Sequence, residues 1–361
     1  MRVLVVNTGS SSVKLRLVSG GELLGSTDLG APSTLEPSAV SDAVASLGAE
    51  VDAVGHRVVH GGPTYTGPVR VDEKVRAELE SLIDLAPLHL PASLNGLDTV
   101  GAALPGVPAV ACFDTAFHAT IPPEATTYAL PAAWRELGVR KYGFHGLSHA
   151  YAARRAAELL GREPAGLRVV TCHLGAGASL CAVSSGRSVD TTMGFTPLDG
   201  LVMATRSGSV DPGAVLWLQR QRGLSADDVF EGLERGSGLV GLAGTADMRE
   251  VLARLDTGEE EARLAFATYV YRVRAQIAAM AAAMNGLDAV AFTGGVGEAS
   301  AAVRKGSLAG LEHLGLAVNP GQNEAARGDA NVSAPGSPAG VAVVTAREDL
   351  EIAAQVERTL S

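Results

Sequence analysis

Near its start the chain runs Val3-Leu4-Val5-Val6-Asn7-Thr8-Gly9-Ser10-Ser11-Ser12-Val13-Lys14-Leu15-Arg16-Leu17. Two β-branched, apolar runs enclose a short Gly/Ser segment, the pattern of strand, tight turn and strand, with bare backbone N–H groups and three hydroxyls at the turn. Such a turn suits a phosphate. Lys14, on the second strand, is within reach of an anion held there, and Asn7 ends the first strand with a neutral oxygen. Taken alone, the segment reads equally well as an ordinary hairpin with a polar turn. A second copy shifts the balance: Arg168-Val169-Val170-Thr171-Cys172-His173-Leu174-Gly175-Ala176-Gly177-Ala178-Ser179 opens the same plan, and Gly9 and Gly20 fall in register with Gly175 and Gly186. Asp52-Ala53-Val54-Gly55 ahead of Gly61-Gly62 is likewise matched by Asp288-Ala289-Val290-Ala291 ahead of Gly294-Gly295. Chance similarity among apolar strands is the simpler alternative. Two copies of one phosphate-turn domain predict a duplicated α/β protein with a nucleotide cleft.

Composition sets the bounds. At 361 residues, 47% hydrophobic and 19% charged, the chain can bury a large core and is long enough for two domains. Its net charge of −10, from 29 basic and 39 acidic residues, and the lack of a basic stripe interleaved with aromatics argue against nucleic acid as a partner. Cys112, Cys172 and Cys181 lie in apolar, strand-like contexts without metal-ligand spacing, as buried reduced thiols do. Met1-Arg2 leads straight into a strand, too short for a signal-peptide core, and no apolar run is long enough to cross a bilayer, so a soluble cytoplasmic protein with no membrane partner is expected.

Along the chain, strands are expected at residues 22–29, 51–59, 107–113, 288–292 and 341–344, besides the two three-strand copies. Helices are expected at 39–47, 72–86, 92–104, 150–160, 214–222, 226–235, 248–256, 259–284 and 349–360. Residues 119–132, Pro-rich and irregular, read as the crossing between domains, and 194–213 as a functional loop too polar for a core. No Walker-type run and no protein-kinase signature is present. Four Gly-rich turns offer another way to hold phosphate: residues 8–12, 173–177, 294–297, and 241–245 followed by Asp247-Met248-Arg249. Arg57 interrupts a strand that otherwise reads as buried, and Arg206 lies in Met203-Ala204-Thr205-Arg206-Ser207-Gly208. A buried guanidinium needs an anion, either a structural carboxylate or a ligand. Asp114, ending the strand at Phe113, is a candidate partner or an organiser of metal and arginine. His145, in Tyr142-Gly143-Phe144-His145-Gly146, is a candidate donor to a moving phosphoryl group.

These motifs, with Thr196-Pro197-Leu198-Asp199-Gly200 and Gly294-Gly295-Val296-Gly297-Glu298, resemble the acetokinase family nearly end to end. The resemblance implies duplicated ribonuclease-H-like (actin-like ATPase) domains facing a central cleft, here residues 1–118 plus 349–361 and residues 119–348. It implies reversible in-line phosphoryl transfer from ATP to acetate, giving acetyl phosphate and ADP, in a homodimer that pairs through the second domain. Residue by residue, it implies that Arg57 and Arg206 hold the acetate carboxylate and the phosphoryl group, that Asp114 is the essential acid, and that His145 is a transition-state donor. Asn7 and Glu348 would form the Mg²⁺ (or Mn²⁺) site. Val59, Leu88, Phe144 and Pro197 would line the methyl pocket. Lys14, His173, Leu174, Gly175, Ala176, Gly177, Asp247, Met248, Arg249, Gly295, Val296, Gly297, Glu298 and Ala299 would contact the nucleotide. The chain departs from the family pattern at Ala176 and Ala299, where Asn is usual, and at Ser209, where an acid is common; it is also shorter than most relatives. These changes leave pyrophosphate open as a phosphoryl donor. Propionate or butyrate is the rival acceptor, and an ATP-gated conformational protein without a small acceptor is the rival class.

Overall fold

A computed structural model describes residues 1–9 and 12–361; Ser10 and Ser11 of the opening turn lie outside the described residues. The chain divides into two compact units, one formed by Met1–Ala119, Phe144–Tyr151 and Arg347–Ser361, the other by Thr120–Gly143 and Ala152–Ala346. The short segment carrying His145 thus clusters with the first unit, although it lies far along the chain from the rest of it.

The first unit's strands are β1 (Arg2–Thr8), β2 (Val13–Ser19), β3 (Glu22–Leu29), β4 (Ala53–Val58), β5 (Val69–Arg70) and β6 (Ala109–Phe113). They form one mixed sheet in the order β3-β2-β1-β4-β6-β5. The second unit's strands are β7 (Arg168–Leu174), β8 (Ala178–Ser184), β9 (Arg187–Thr191), β10 (Ala289–Thr293), β11 (Ala330–Asn331) and β12 (Gly340–Val343), in the order β11-β12-β10-β7-β8-β9. The two orders are the same topology: an antiparallel three-strand meander extended by two parallel strands and closed by a short antiparallel edge. The match reaches side chains. Asp52 accepts the Arg2 backbone N–H at 2.7 Å, and Asp288 accepts that of Arg168 at 2.9 Å. The meanders bulge at equivalent places, between Leu17 and Val18 and between Ala182 and Val183.

Strand alternation explains where the polar residues emerge. On one face of the first sheet, Val3, Val5, Ala53, Val110 and Cys112 pack under the helix Glu348–Leu360 through Ile352 and Val356. That helix approaches closely because Gly55 has no side chain: a Cβ there would lie 2.6 Å from the Ile352 side chain and 2.7 Å from that of Val356. The opposite face, with Leu4, Val6 and Val54, packs against Val40, Val44 and Val100.

The structure differs from expectation at several elements. The helix expected over 72–86 ends at Glu80 and continues only as a 3₁₀ turn at Ile83–Leu85. The helix expected from residue 150 already begins at Gly146. The glycine run at 294 is itself the first part of a short helix, Gly294–Ala299, and residues 241–243 close the helix Gly238–Ala243. The two-residue strands β5 and β11 carry no alternation pattern that could announce them.

Candidate active site

Two residues on, each apolar row of the first sheet ends in a polar group. Asn7 follows Val3 and Val5, Arg57 follows Ala53 and Gly55, and Asp114 follows Val110 and Cys112, so three adjacent parallel strands deliver these side chains to one face at their carboxyl ends. Glu348 begins the helix covering that face. Arg57 grips Asp114 with two parallel bonds, Nε to Oδ1 at 3.0 Å and one terminal nitrogen to Oδ2 at 2.6 Å. Its other terminal nitrogen donates to Asn7 Oδ1 at 3.2 Å, and Glu348 lies 3.7 Å from Nε. Burial works against the Arg57 charge, but Asp114 and Glu348 more than offset it, so the guanidinium pKa stands above the ordinary arginine value. Burial also raises the Asp114 carboxyl above the usual carboxylate range, while Arg57 pulls the other way. Both Asp114 oxygens accept from Arg57, the two-pronged pairing a guanidinium makes with a carboxylate. The cluster thus sets the carboxyl groups of Asp114 and Glu348 around one guanidinium.

His145 belongs to the same unit. Its backbone adopts φ 57°, unusual for a residue other than glycine. Next to it the backbone is pinned: the Gly146 N–H donates to the Asp114 carbonyl at 2.8 Å, and a Cβ on Gly146 would lie only 2.3 Å from that oxygen. Held conformations of this kind, worth about 1–3 kcal/mol, concentrate at functional sites. The His145 ring lies 6.4 Å from that of His149, which lies 5.8 Å from that of His118, whose Nε2–H donates to the Phe144 carbonyl at 2.9 Å. Phe144 is buried against the edge of His60, whereas Leu88 is exposed. Lys14 is exposed on β2, opposite Asn7.

In the second unit the equivalent strand ends carry His173 on β7 and Thr293 on β10, paired in register. Beyond them opens a cavity of about 580 Å³. Gly175, Ala176, Asp247, Met248, Arg249, Gly295, Val296 and Ala299, all expected nucleotide contacts, line it. Ala204, Leu239, Ala246, Leu252, Tyr269 and Ser300 also line it and were not anticipated. Ser300 is adjacent to an expected contact; Tyr269 lies in the buried stripe Ala262, Ala265, Tyr269, Val273 of the helix Glu260–Ala283 and reads as core. His173, Leu174, Gly177, Gly297 and Glu298 are not in the lining. Glu298 instead accepts the backbone N–H groups of Gly294 and Ala346, fixing the turn from behind. Arg249 is paired with Asp247 yet 89% exposed. Arg206 bonds Glu234 through Nε at 2.6 Å and reaches the Pro197 carbonyl at 3.5 Å, which brings two expected site residues together.

Two α/β units with the same strand order, each with a glycine turn at its strand ends, define a duplicated α/β fold. A model of the acetokinase family matches residues 33–354. The chain is 46% identical to an acetate kinase of Streptomyces coelicolor, with 100% of this chain and 97% of that protein covered, and 45% identical to one of Clavibacter sepedonicus, with 98% of each covered. Among solved structures it is similar to the Porphyromonas gingivalis acetate kinase (37% identity, TM-score 0.92, 100% of both chains) and to a propionate kinase from Francisella tularensis (34%, 0.90, 98% of both). The chain belongs to the acetokinase family.

Proposed function

We propose that this protein is an acetate kinase that transfers the γ-phosphoryl group of ATP reversibly to acetate, giving acetyl phosphate and ADP. The observation that carries this reading is the Arg57–Asp114 pair: a guanidinium oriented at strand ends, with three of its five N–H donors engaged and two without a partner among the described residues, available to an incoming anion. A carboxylic acid with a pKa near 4 is already ionised at pH 7, so the nucleophile needs no general base. Asp114, whose oxygens are both occupied by Arg57, is accordingly an organiser and not a proton acceptor. Arg57 orients the acetate carboxylate, with Val59, Leu88, Phe144 and Pro197 around its methyl group. Arg206 and the His145 N–H act on the phosphoryl oxygens as charge spreads there.

The residues around Arg57 suit Mg²⁺. This ion is held through one or two carboxylates, with substrate phosphates and water completing its shell; Asn7 and Glu348 bring a neutral oxygen and a carboxylate to the edge of one cluster. When bound, Mg²⁺ neutralises phosphate charge and aligns the transferring group. Among the described residues no set of three His, Cys, Asp or Glu side chains forms a metal cage.

The 580 Å³ cavity favours a nucleotide over pyrophosphate, because Leu239, Met248, Leu252, Tyr269 and Val296 give it an apolar slot for which pyrophosphate has no use. The loss of two Asn side chains at Ala176 and Ala299 leaves backbone N–H groups as the phosphate donors. A homodimer through the second unit is supported by the helix Pro212–Arg222, which buries none of its residues and leaves Leu216 and Trp217 half exposed, and by the exposed Leu264 and Tyr271. No helix among the described residues is long and apolar enough to cross a membrane. Comparing kcat/KM for acetate, propionate and butyrate, with ATP and with pyrophosphate, tests the assignment: acetate with ATP is expected to lead. A lead for propionate, against a margin of about 1–3 kcal/mol per methylene, would reassign the acceptor.

A further inference from the structure

Arg206 lies in a loop whose apolar residues Leu201, Val202, Met203 and Ala204 are buried. Beneath the loop is a second cavity of about 420 Å³, lined by Gly200, Val202, Ser207 and Ser209 from the loop and by Gly236 and Ser237 opposite. What ties the loop down is the end of the helix Ala226–Glu234 and the start of the helix Gly238–Ala243. Thr205 Oγ1 donates to the Glu234 carbonyl at 2.9 Å and the Ser207 N–H to the Leu233 carbonyl at 3.0 Å. The N–H groups of Ser237, Leu239 and Val240 donate back to the carbonyls of Thr205, Met203 and Ala204 at 2.9–3.1 Å. The Ala204 N–H reaches the Ala176 carbonyl at 3.0 Å, joining the same loop to the glycine turn of the nucleotide cavity.

These bonds fix the backbone and leave the long Arg206 side chain to be aimed. The Glu234 carboxylate does this: Oε1 accepts from Nε at 2.6 Å, with the two side chains only 19% and 12% exposed. One terminal nitrogen faces the Pro197 carbonyl and the Met203 sulfur. The other has no protein partner among the described residues. We propose that Glu234 is the positioning residue for Arg206, gripping the inner edge of the guanidinium so that its outer N–H groups are presented to the transferring phosphoryl group. This rests on the assignment of Arg206 to phosphoryl transfer. A guanidinium free to swing by an ångström or more loses much of a preorganised donor's effect, on the order of 10²-fold at most.

The test is a double-mutant cycle on the full chain, followed in the acetyl-phosphate-forming direction. Glu234→Ala is expected to lower kcat by about 10–100-fold with KM for ATP changed less than about twofold, since the cavity lining does not include Glu234. Glu234→Gln, whose amide oxygen still accepts from Nε, is expected to stay within about threefold of wild type. In the Arg206→Ala background, adding Glu234→Ala is expected to change kcat by less than about twofold, a silence that a merely structural role would not produce. A Glu234→Ala enzyme with wild-type kcat, a Gln variant as poor as Ala, or full additivity with Arg206→Ala would each overturn the proposal. Wild-type turnover in Arg206→Ala alone would overturn the underlying assignment as well, whereas an impaired Arg206→Ala beside an unimpaired Glu234→Ala would overturn only the role of Glu234. Should Glu234→Ala not fold, Glu234→Asp, one methylene shorter, is expected to lose the contact and at least about fivefold in kcat at unchanged KM, and wild-type turnover there would count against the proposal.

Discussion

Replacing Asp114 by Asn tests the organising role of the carboxylate with almost no change of shape. Asn keeps one acceptor oxygen and sets an NH₂ group against the Arg57 nitrogen that now donates at 2.6 Å. One charge-assisted bond is lost, worth about 1.5–3 kcal/mol, and the guanidinium is left with Glu348 at 3.7 Å as its remaining counter-ion. Because Asp114 is 1% exposed, little of that loss is recovered from water. Thermal stability is therefore expected to drop by about 2 kcal/mol. Arg57, no longer gripped at both ends, loses its aim, and kcat is expected to fall by about 10²–10³-fold, as when one preorganised donor is removed. KM for ATP is expected to stay near the wild-type value, because Asp114 does not line the nucleotide cavity. Steady-state rates of acetyl phosphate formation, with thermal melts to separate folding from chemistry, provide the assay. A folded Asp114→Asn enzyme with kcat within threefold of wild type would refute the organising role. So would selective loss of an acidic limb from the pH–rate profile, which would mark Asp114 as a proton acceptor.

Three other expectations follow from separate parts of the molecule. Val296→Trp, filling the nucleotide cavity from its lining, is expected to raise KM for ATP at least about tenfold while leaving KM for acetate unchanged; a matching rise for acetate would count against the cavity as the nucleotide site. His56 is fully buried, neither ring nitrogen has a hydrogen-bond partner among the described residues, and burial lowers its pKa from 6.5 to about 4. The unfolded chain thus binds a proton below pH 6.5 that the folded chain refuses until about pH 4, so this contribution, roughly 3 kcal/mol, is complete above pH 6.5 and lost as pH falls toward 4; a His56→Leu variant is expected to show a shallower drop in melting temperature over that interval, and an identical slope would be the contrary result. Trp217→Glu, on the helix that buries nothing of its own, is expected to convert a dimer to monomer by sedimentation, and an unchanged mass would remove that helix from the interface.

Much of this was legible in the sequence because its signals are local and repeated. The apolar runs of β1 and β7, each ended by a glycine turn, announced two copies of one sheet, and the copies share their topology down to the Arg2–Asp52 and Arg168–Asp288 contacts. Arg57 stood out as a charge in a buried strand, and Asp114, at the end of the neighbouring strand, was a natural partner. Glu234 gave no such sign: it is one carboxylate among several on an exposed, amphipathic helix, and only the tertiary docking of that helix makes it the counter-ion of Arg206. Tyr269 and Leu239 escaped for a related reason, since a helix stripe that faces a cavity has the same periodicity as one that faces the core. The glycines at 294–297 read as a turn because glycine is a poor helix former, yet with Glu298 clasping the Gly294 N–H they begin a helix.

The central claim is that an ionised short-chain acid accepts a phosphoryl group here, and capture of the acyl phosphate with hydroxylamine tests it most directly. With Mg²⁺ and ATP, hydroxamate is expected to form only when acetate is present, in proportion to ADP released, and to fall at least about 10²-fold in Arg57→Ala. ATP turnover that proceeds at the same rate without acetate and yields no hydroxamate would contradict the account.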